Sequence, residues 1–179
     1  AKIDTSGIST LSTAQVTALT SDQLNALSAT QLNAMSSAQL QAIETADVAA
    51  LTTAQVVKFD TSAISELSTA QIVAMGSAQF AALTAAQLKA LSTAQLVVID
   101  TVDVAALTTA QIAALSSSAV AALTDTSTGQ VAALTSAQAA ALSSAAVSGL
   151  STAQIARLSS AQLNALSATQ LNAMSSAQL

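Results

Sequence analysis

The chain repeats itself every eight residues. From Ile3 onward it reads as octads of the form L-[ST]-[ST]-A-Q-[LIV]-x-A, as in Leu11-Ser12-Thr13-Ala14-Gln15-Val16-Thr17-Ala18. Octads start at residue 3 and at every eighth residue to 123, then resume at 134 and run to 174, so that 22 octads account for nearly all of the 179 residues. Internal periodicity of this kind is the mark of a repeat architecture and outweighs any local propensity. No stretch is left over for a separate domain.

Each octad has two apolar anchors. The first position is always Leu, Ile, Met or Phe, and the sixth is Leu, Ile, Val or Phe except at Ala139. Ala dominates the fourth and eighth positions, which reads as close packing, and the seventh varies freely (Asn25, Gln41, Val57, Lys89), which reads as an exposed site. A longer period overlies the short one. Residues 3–58 align with 59–114 without gaps, 115–141 are interpolated, and 142–179 are a truncated third block. The third block stops inside an octad, so the natural protein is expected to continue past it.

An unbroken α-helix cannot carry this pattern. At about 100° per residue, eight residues displace the apolar stripe by about 80° each time. In a β-solenoid, the alternative architecture, positions one and six have opposite parity and point to opposite faces of a strand. A third reading accounts for more residues. Position two is Ser, Thr, Asp or Gly in every octad but that of Glu44, and these residues suit a helix N-cap. Gln follows three places later in most octads, completing a capping box. The caps expected on this basis include Asp4, Ser12, Thr20, Ser28, Asp60, Ser68 and Asp100. A start signal every eight residues specifies a helix that restarts every eight residues. Helices so short are unstable alone, so the chain is predicted to be all-α, a solenoid of short capped helices with each coil buried against the next. The number of octads per coil does not follow from the pattern.

The same composition excludes many functions. With no Cys and no His there is no disulfide framework, no thiolate or imidazole metal site and no base to activate a Ser or Thr nucleophile. The chain therefore reads as non-enzymatic and free of cofactors. Nine acidic residues against four scattered basic ones, Lys2, Lys58, Lys89 and Arg157, give a net charge of −5, which argues against nucleic acid and anionic membrane surfaces. Ser, Thr and Gln interrupt every apolar run, so no membrane span is expected.

Three places break the pattern. Glu44 with Asp47, and Asp100 with Asp103, form carboxylate pairs three residues apart, weak calcium candidates whose ordinary explanation is capping. Thr124 to Gly129 interrupts the register with three extra residues. Asp125, Thr126, Ser127, Thr128 and Gly129 therefore make an exposed loop and a candidate recognition loop.

The octads Leu-Ser-Thr-Ala-Gln-Val-Thr-Ala-Leu and Leu-Thr-Thr-Ala-Gln-Ile-Ala-Ala-Leu resemble those of very large, repetitive bacterial surface exoproteins, the adhesin-like proteins labelled haemagglutinin or haem-utilisation proteins. The resemblance implies export, an extracellular or cell-surface location and a structural or adhesive role. The implied partners are the chain itself, by end-to-end or lateral assembly, or a surface glycan or protein.

Overall fold

A computed structural model describes residues 4–126 and 128–179, in two compact units, Ala1–Ala90 and Leu91–Leu179. The edge of the first block, 58/59, falls inside the first unit and the edge at 114/115 inside the second. Among the described residues every regular element is a short helix and none is a strand, which removes the β-solenoid alternative.

In the first unit the helices are α1 (Thr5–Ser9), α2 (Thr13–Thr17), α3 (Ser21–Asn25), α4 (Ala29–Leu32), α5 (Ser37–Gln41), α6 (Thr45–Ala50), α7 (Thr53–Val56), α8 (Thr61–Ser65), α9 (Thr69–Ala74), α10 (Ser77–Ala82) and α11 (Ala85–Ala90). The second unit holds α12 (Thr93–Leu96), α13 (Thr101–Ala106), α14 (Thr109–Ala114), α15 (Ser117–Ala121), α16 (Gln130–Ala133), α17 (Ser136–Ala141), α18 (Ser144–Ser148), α19 (Thr152–Ile155), α20 (Ser160–Asn164) and α21 (Ala168–Asn172). Helix packing follows one rule within each unit: the helices that pack closely on one another are three apart in order. Thus α1 meets α4, α2 meets α5, α3 meets α6 and α6 meets α9; in the second unit α12, α15, α18 and α21 form one such row. A coil is therefore three octads, or 24 residues. The 56-residue block is not a whole number of coils, which makes it a unit of sequence duplication and not of structure.

The local reason for each helix is its cap. Ser12 takes an extended backbone (φ −70°, ψ 158°), its hydroxyl accepts from the Gln15 amide, and the Gln15 side-chain oxygen accepts from the Ser12 amide at 2.8 Å. This is the reciprocal capping box. Helices end because the next octad's first residue is also extended, as Leu51 (φ −60°, ψ 133°) and Met75 (φ −70°, ψ 146°) are. Two consecutive extended residues make each such corner, and no described residue has positive φ. A corner of this kind needs no left-handed residue, so the usual Gly or Asn after a helix is dispensable. That explains how a chain with four Gly and no Pro turns so often.

The anchors form the core. Ile64, Ile72, Phe80 and Leu88 at position six are fully buried, and Leu67, Met75 and Leu83 at position one nearly so. Fully burying a side chain of this kind contributes about 1.5–3 kcal/mol, which offsets the weakness of four- to six-residue helices. Ala at position four, by contrast, is exposed at Ala14, Ala38, Ala54, Ala70 and Ala86. Its contribution is high helix propensity in the first turn, not the close approach of coils that its size suggests.

Candidate functional site

The residue that joins coil to coil is the glutamine at position five. Gln39, Gln71, Gln87 and Gln111 are at most 3% exposed, an unusual place for Gln. Its amide oxygen closes the capping box of its own helix. Its amide nitrogen crosses to the coil before: Gln71 Nε2 donates to the carbonyls of Leu40 and Ile43, both at 2.8 Å, and Gln87 Nε2 to those of Val56 (2.9 Å) and Phe59 (2.7 Å). In the second unit Gln162 and Gln170 donate to Leu134 and Leu142. Gln55 does the same to Leu24 and Asn25. Both carbonyls lie at the corner that one octad makes with the next, so corner is stacked on corner. No buried side-chain nitrogen or oxygen among the described residues lacks a partner.

The seventh position contributes a second set of links. Asn25 Nδ2 donates to the Ala50 carbonyl (3.1 Å) and Asn33 Nδ2 to that of Lys58 (2.9 Å), while the Asn33 side-chain oxygen accepts from the Asp60 amide. Gln41 donates to the Glu66 carbonyl. These side chains reach the following coil, so the variable site is not simply a free surface.

The carboxylates divide into two kinds. Asp4 and Asp60 are position two of octads whose fifth residue is Gly7 or Ala63, where no Gln can close the box. Each cap is instead doubled: Asp60 accepts from the Ala63 amide and from the Ser62 hydroxyl, both at 2.7 Å, and Asp4 likewise from Gly7 and Ser6. Those bonds, the backbone one first, favour the charged form and hold both carboxyls below the ordinary Asp pKa. Asp100 accepts from the Val102 amide at 2.9 Å. Ser28 and Ser68 accept from the Gln31 and Gln71 amides, and Thr20 from that of Gln23.

Asp47 and Asp103 occupy the glutamine position itself and are 8% exposed. Asp47 accepts a 2.5 Å bond from the Ser21 hydroxyl of the preceding coil. Glu44, the cap of the same helix, makes no side-chain cap bond. Glu44 and Asp47 flank the first turn of α6, and Asp100 and Asp103 that of α13. No cluster of three or more acidic residues suited to a metal occurs among the described residues.

The inserted segment keeps the box and loops out the excess. Thr124 donates its amide to Gln130 Oε1 (3.1 Å) and its hydroxyl accepts from the Gln130 amide (2.8 Å), six residues apart instead of three. Gln130 then reaches the carbonyls of Leu96 and Ile99, each three residues further back than the partners of Gln71, and Gln138 and Gln154 reach across the insertion at the same longer separations. Asp125, Thr126 and Thr128 are exposed, Ser127 lies outside the described residues, and Gly129 is buried beneath them. A Cβ on Gly129 would stand 2.8 Å from the Thr124 carbonyl oxygen, so the loop closes only over Gly. Arg157 Nε donates to the Asp125 carbonyl at 2.8 Å, holding the loop from the next coil.

Capping-box logic finds the Gln but only half of its work. One signal was available: the box accepts Glu as readily as Gln, yet no octad has Glu at position five. Only the amide adds the donors that the coil below requires.

No helix among the described residues is long and apolar enough to cross a membrane. No curated protein and no solved structure matches the chain. A family model, the ALTTAQ repeat, matches it five times, over residues 23–53, 40–77, 72–99, 96–126 and 140–168. These matches span most of the sequence and coincide with the octad array, and the chain belongs to the ALTTAQ repeat family.

Proposed function

We propose that the chain is a non-enzymatic structural module of a bacterial cell-surface or extracellular protein, a stalk segment or filament element built to extend by adding coils. The observation that carries this reading is the glutamine row. In both units the corner carbonyls of one coil accept from the glutamines of the next by the same pattern, so length is added without any change in chemistry. Most Ser and Thr hydroxyls at position two serve as caps, and the chain has no His or Cys to activate a hydroxyl, which supports a role without catalysis.

Antibody raised against this segment, applied to intact cells of the source organism and viewed by electron microscopy, tests the reading. Labelled projections on unbroken cells are expected. Label that enters only after lysis would overturn it.

A second reading is an adhesive module that holds a glycan or protein at the 124–129 loop. It is favoured by one observation, the anchoring of an exposed loop at Thr124, Gln130 and Arg157. Deleting Asp125 to Ser127 leaves Leu-Thr-Thr-Gly-Gln-Val-Ala-Ala, a regular octad, so the fold is kept while the loop is lost. Glycan or surface-protein binding that disappears in this variant is the expected result for adhesion, and unchanged binding would exclude the loop.

A further inference from the structure

One corner inside the first unit has no glutamine to fasten it. Gln71, Gln79 and Gln87 each donate to the carbonyls 31 and 28 residues back. By the same spacing residue 63 faces the carbonyls of Leu32 and Met35, and residue 63 is Ala. The Leu32 carbonyl accepts from the Met35 amide at 3.3 Å. The Met35 carbonyl accepts from no donor among the described residues, although Met35 is buried, and a buried carbonyl calls for one. A cleft of about 210 Å³ opens at this point, lined by Met35, Ser36, Ser37, Ser62, Ala63 and Glu66. Both of its walls are covered by further coils, since α2 packs on α5 and α11 on α8, so the cleft lies on the side of the coil stack. Loss of the Gln does not by itself open such a space. Ala146 holds the same position in the second unit, and there Gly149 lets α18 close on α15: a Cβ on Gly149 would stand 3.2 Å from that of Ser117. Glu66 and Ser37 are the corresponding residues in the first unit, and they stand on the rim of the cleft instead of closing it.

We propose that this cleft binds small primary amines as their ammonium ions. The groups it offers are acceptors: the Met35 carbonyl, the Ser37 and Ser62 hydroxyls and the Glu66 carboxylate. The backbone amides at its edge are already engaged, Ser36 donating to the Gln39 side chain and Ala63 to Asp60. Such a set takes a ligand that only donates, and an ammonium group has three donors and no acceptor. The carboxylate selects a charged donor over a neutral amide. Asp60, which accepts from the Ser62 hydroxyl at 2.7 Å, adds a second negative charge on the same wall. Alkylamines, like the Lys side chain with its pKa of about 10.4, are cations at neutral pH. The ammonium nitrogen takes the place of the absent Gln nitrogen, and its short alkyl chain lies against Ala63 where the Gln methylenes would run. This binding site goes beyond the structural-module reading and does not depend on it.

The test is a titration of the isotope-labelled 179-residue chain with propylammonium chloride, followed by nuclear magnetic resonance at the amides of Ser36, Ser62 and Ala63. Tetramethylammonium chloride, a cation with no N–H, is the control. Saturable shifts with a dissociation constant of about 1–10 mM are expected for propylammonium, the range open to a ligand of so few atoms, and none for the control. Ala63→Gln returns the octad to the common pattern, supplies the donor for the Met35 carbonyl and fills the cleft, so binding is expected to weaken at least about tenfold. Glu66→Gln keeps the shape and removes the charge, and about fivefold weaker binding is expected. Circular dichroism confirms that both variants retain the helical double minimum. No saturable shift below about 100 mM propylammonium, an equal response to tetramethylammonium, or full-strength binding by either variant would each overturn the proposal. Any of these leaves the module reading standing on its own test at the cell surface.

Discussion

Gln71 places its side-chain nitrogen 2.8 Å from the carbonyl oxygen of Leu40, 31 residues earlier, while its side-chain oxygen accepts from the Ser68 amide three residues earlier. One side chain thus ends a corner and fastens it to the corner beneath. The two tasks separate in Gln71→Glu. A glutamate still closes the capping box but has no N–H for Leu40 or Ile43, and it sets a buried charge against two carbonyls. A loss of about 2–4 kcal/mol is expected, against almost none for Gln15→Glu, whose side-chain nitrogen meets no carbonyl among the described residues. Urea unfolding of the two variants checks this, and equal losses would contradict it.

The loop predicts a contrast between glycines. Gly129→Ala drives a Cβ into the Thr124 carbonyl and the Thr126 hydroxyl, although φ of −81° suits any residue. The cost is therefore steric and is expected at about 1–3 kcal/mol. Gly76→Ser meets nothing at Cβ within 4 Å and adds the hydroxyl that other caps carry, gaining a few tenths of a kcal/mol. Thermal melts of both variants decide it.

Asp60 predicts a pH dependence. Its folded pKa lies below the ordinary value, chiefly through the Ala63 amide and then the Ser62 hydroxyl. The stabilisation is therefore present above the unfolded pKa, about 3.9, and is lost as pH falls through the folded one. Asp60→Asn keeps a capping oxygen without the titration. Melting temperatures measured downward from about pH 6 are expected to fall less steeply below about pH 4 in the variant, and parallel curves would contradict the assignment.

Asp47 predicts a coupling with Ser21. Ser21→Ala removes the hydroxyl that satisfies the buried carboxylate and is expected to cost about 1–3 kcal/mol. In Asp47→Gln the same change is nearly silent, because an amide at this position has donors for the coil below. A double-mutant cycle measures the difference, and additive losses would refute the pairing.

The helices were legible because their instructions are local. Ser12, Thr20 and Ser68 announce each start, and the anchors at positions one and six announce what is buried. The three-octad coil was not legible, since the partners of Gln71 and Gln87 lie 28 and 31 residues back and no short-range pattern points to them. The variable seventh position, Asn25 included, reads as free surface for the same reason. At the loop, composition marked Thr124 to Gly129 as irregular, but the six-residue capping box and the burial of Gly129 depend on a closure that spacing alone conceals.

A coil is three octads, so octads 24 residues apart are neighbours. Pairs of spin labels on exposed position-four alanines of the first unit measure this directly in a chain with no native Cys. Ala54→Cys is combined in turn with Ala70→Cys, Ala78→Cys and Ala86→Cys, at separations of 16, 24 and 32 residues. The shortest distance is expected for Ala54 with Ala78, on the packed helices α7 and α10, near the 8–10 Å typical of helix packing plus the reach of the labels. A shorter distance for either of the other pairs would contradict it.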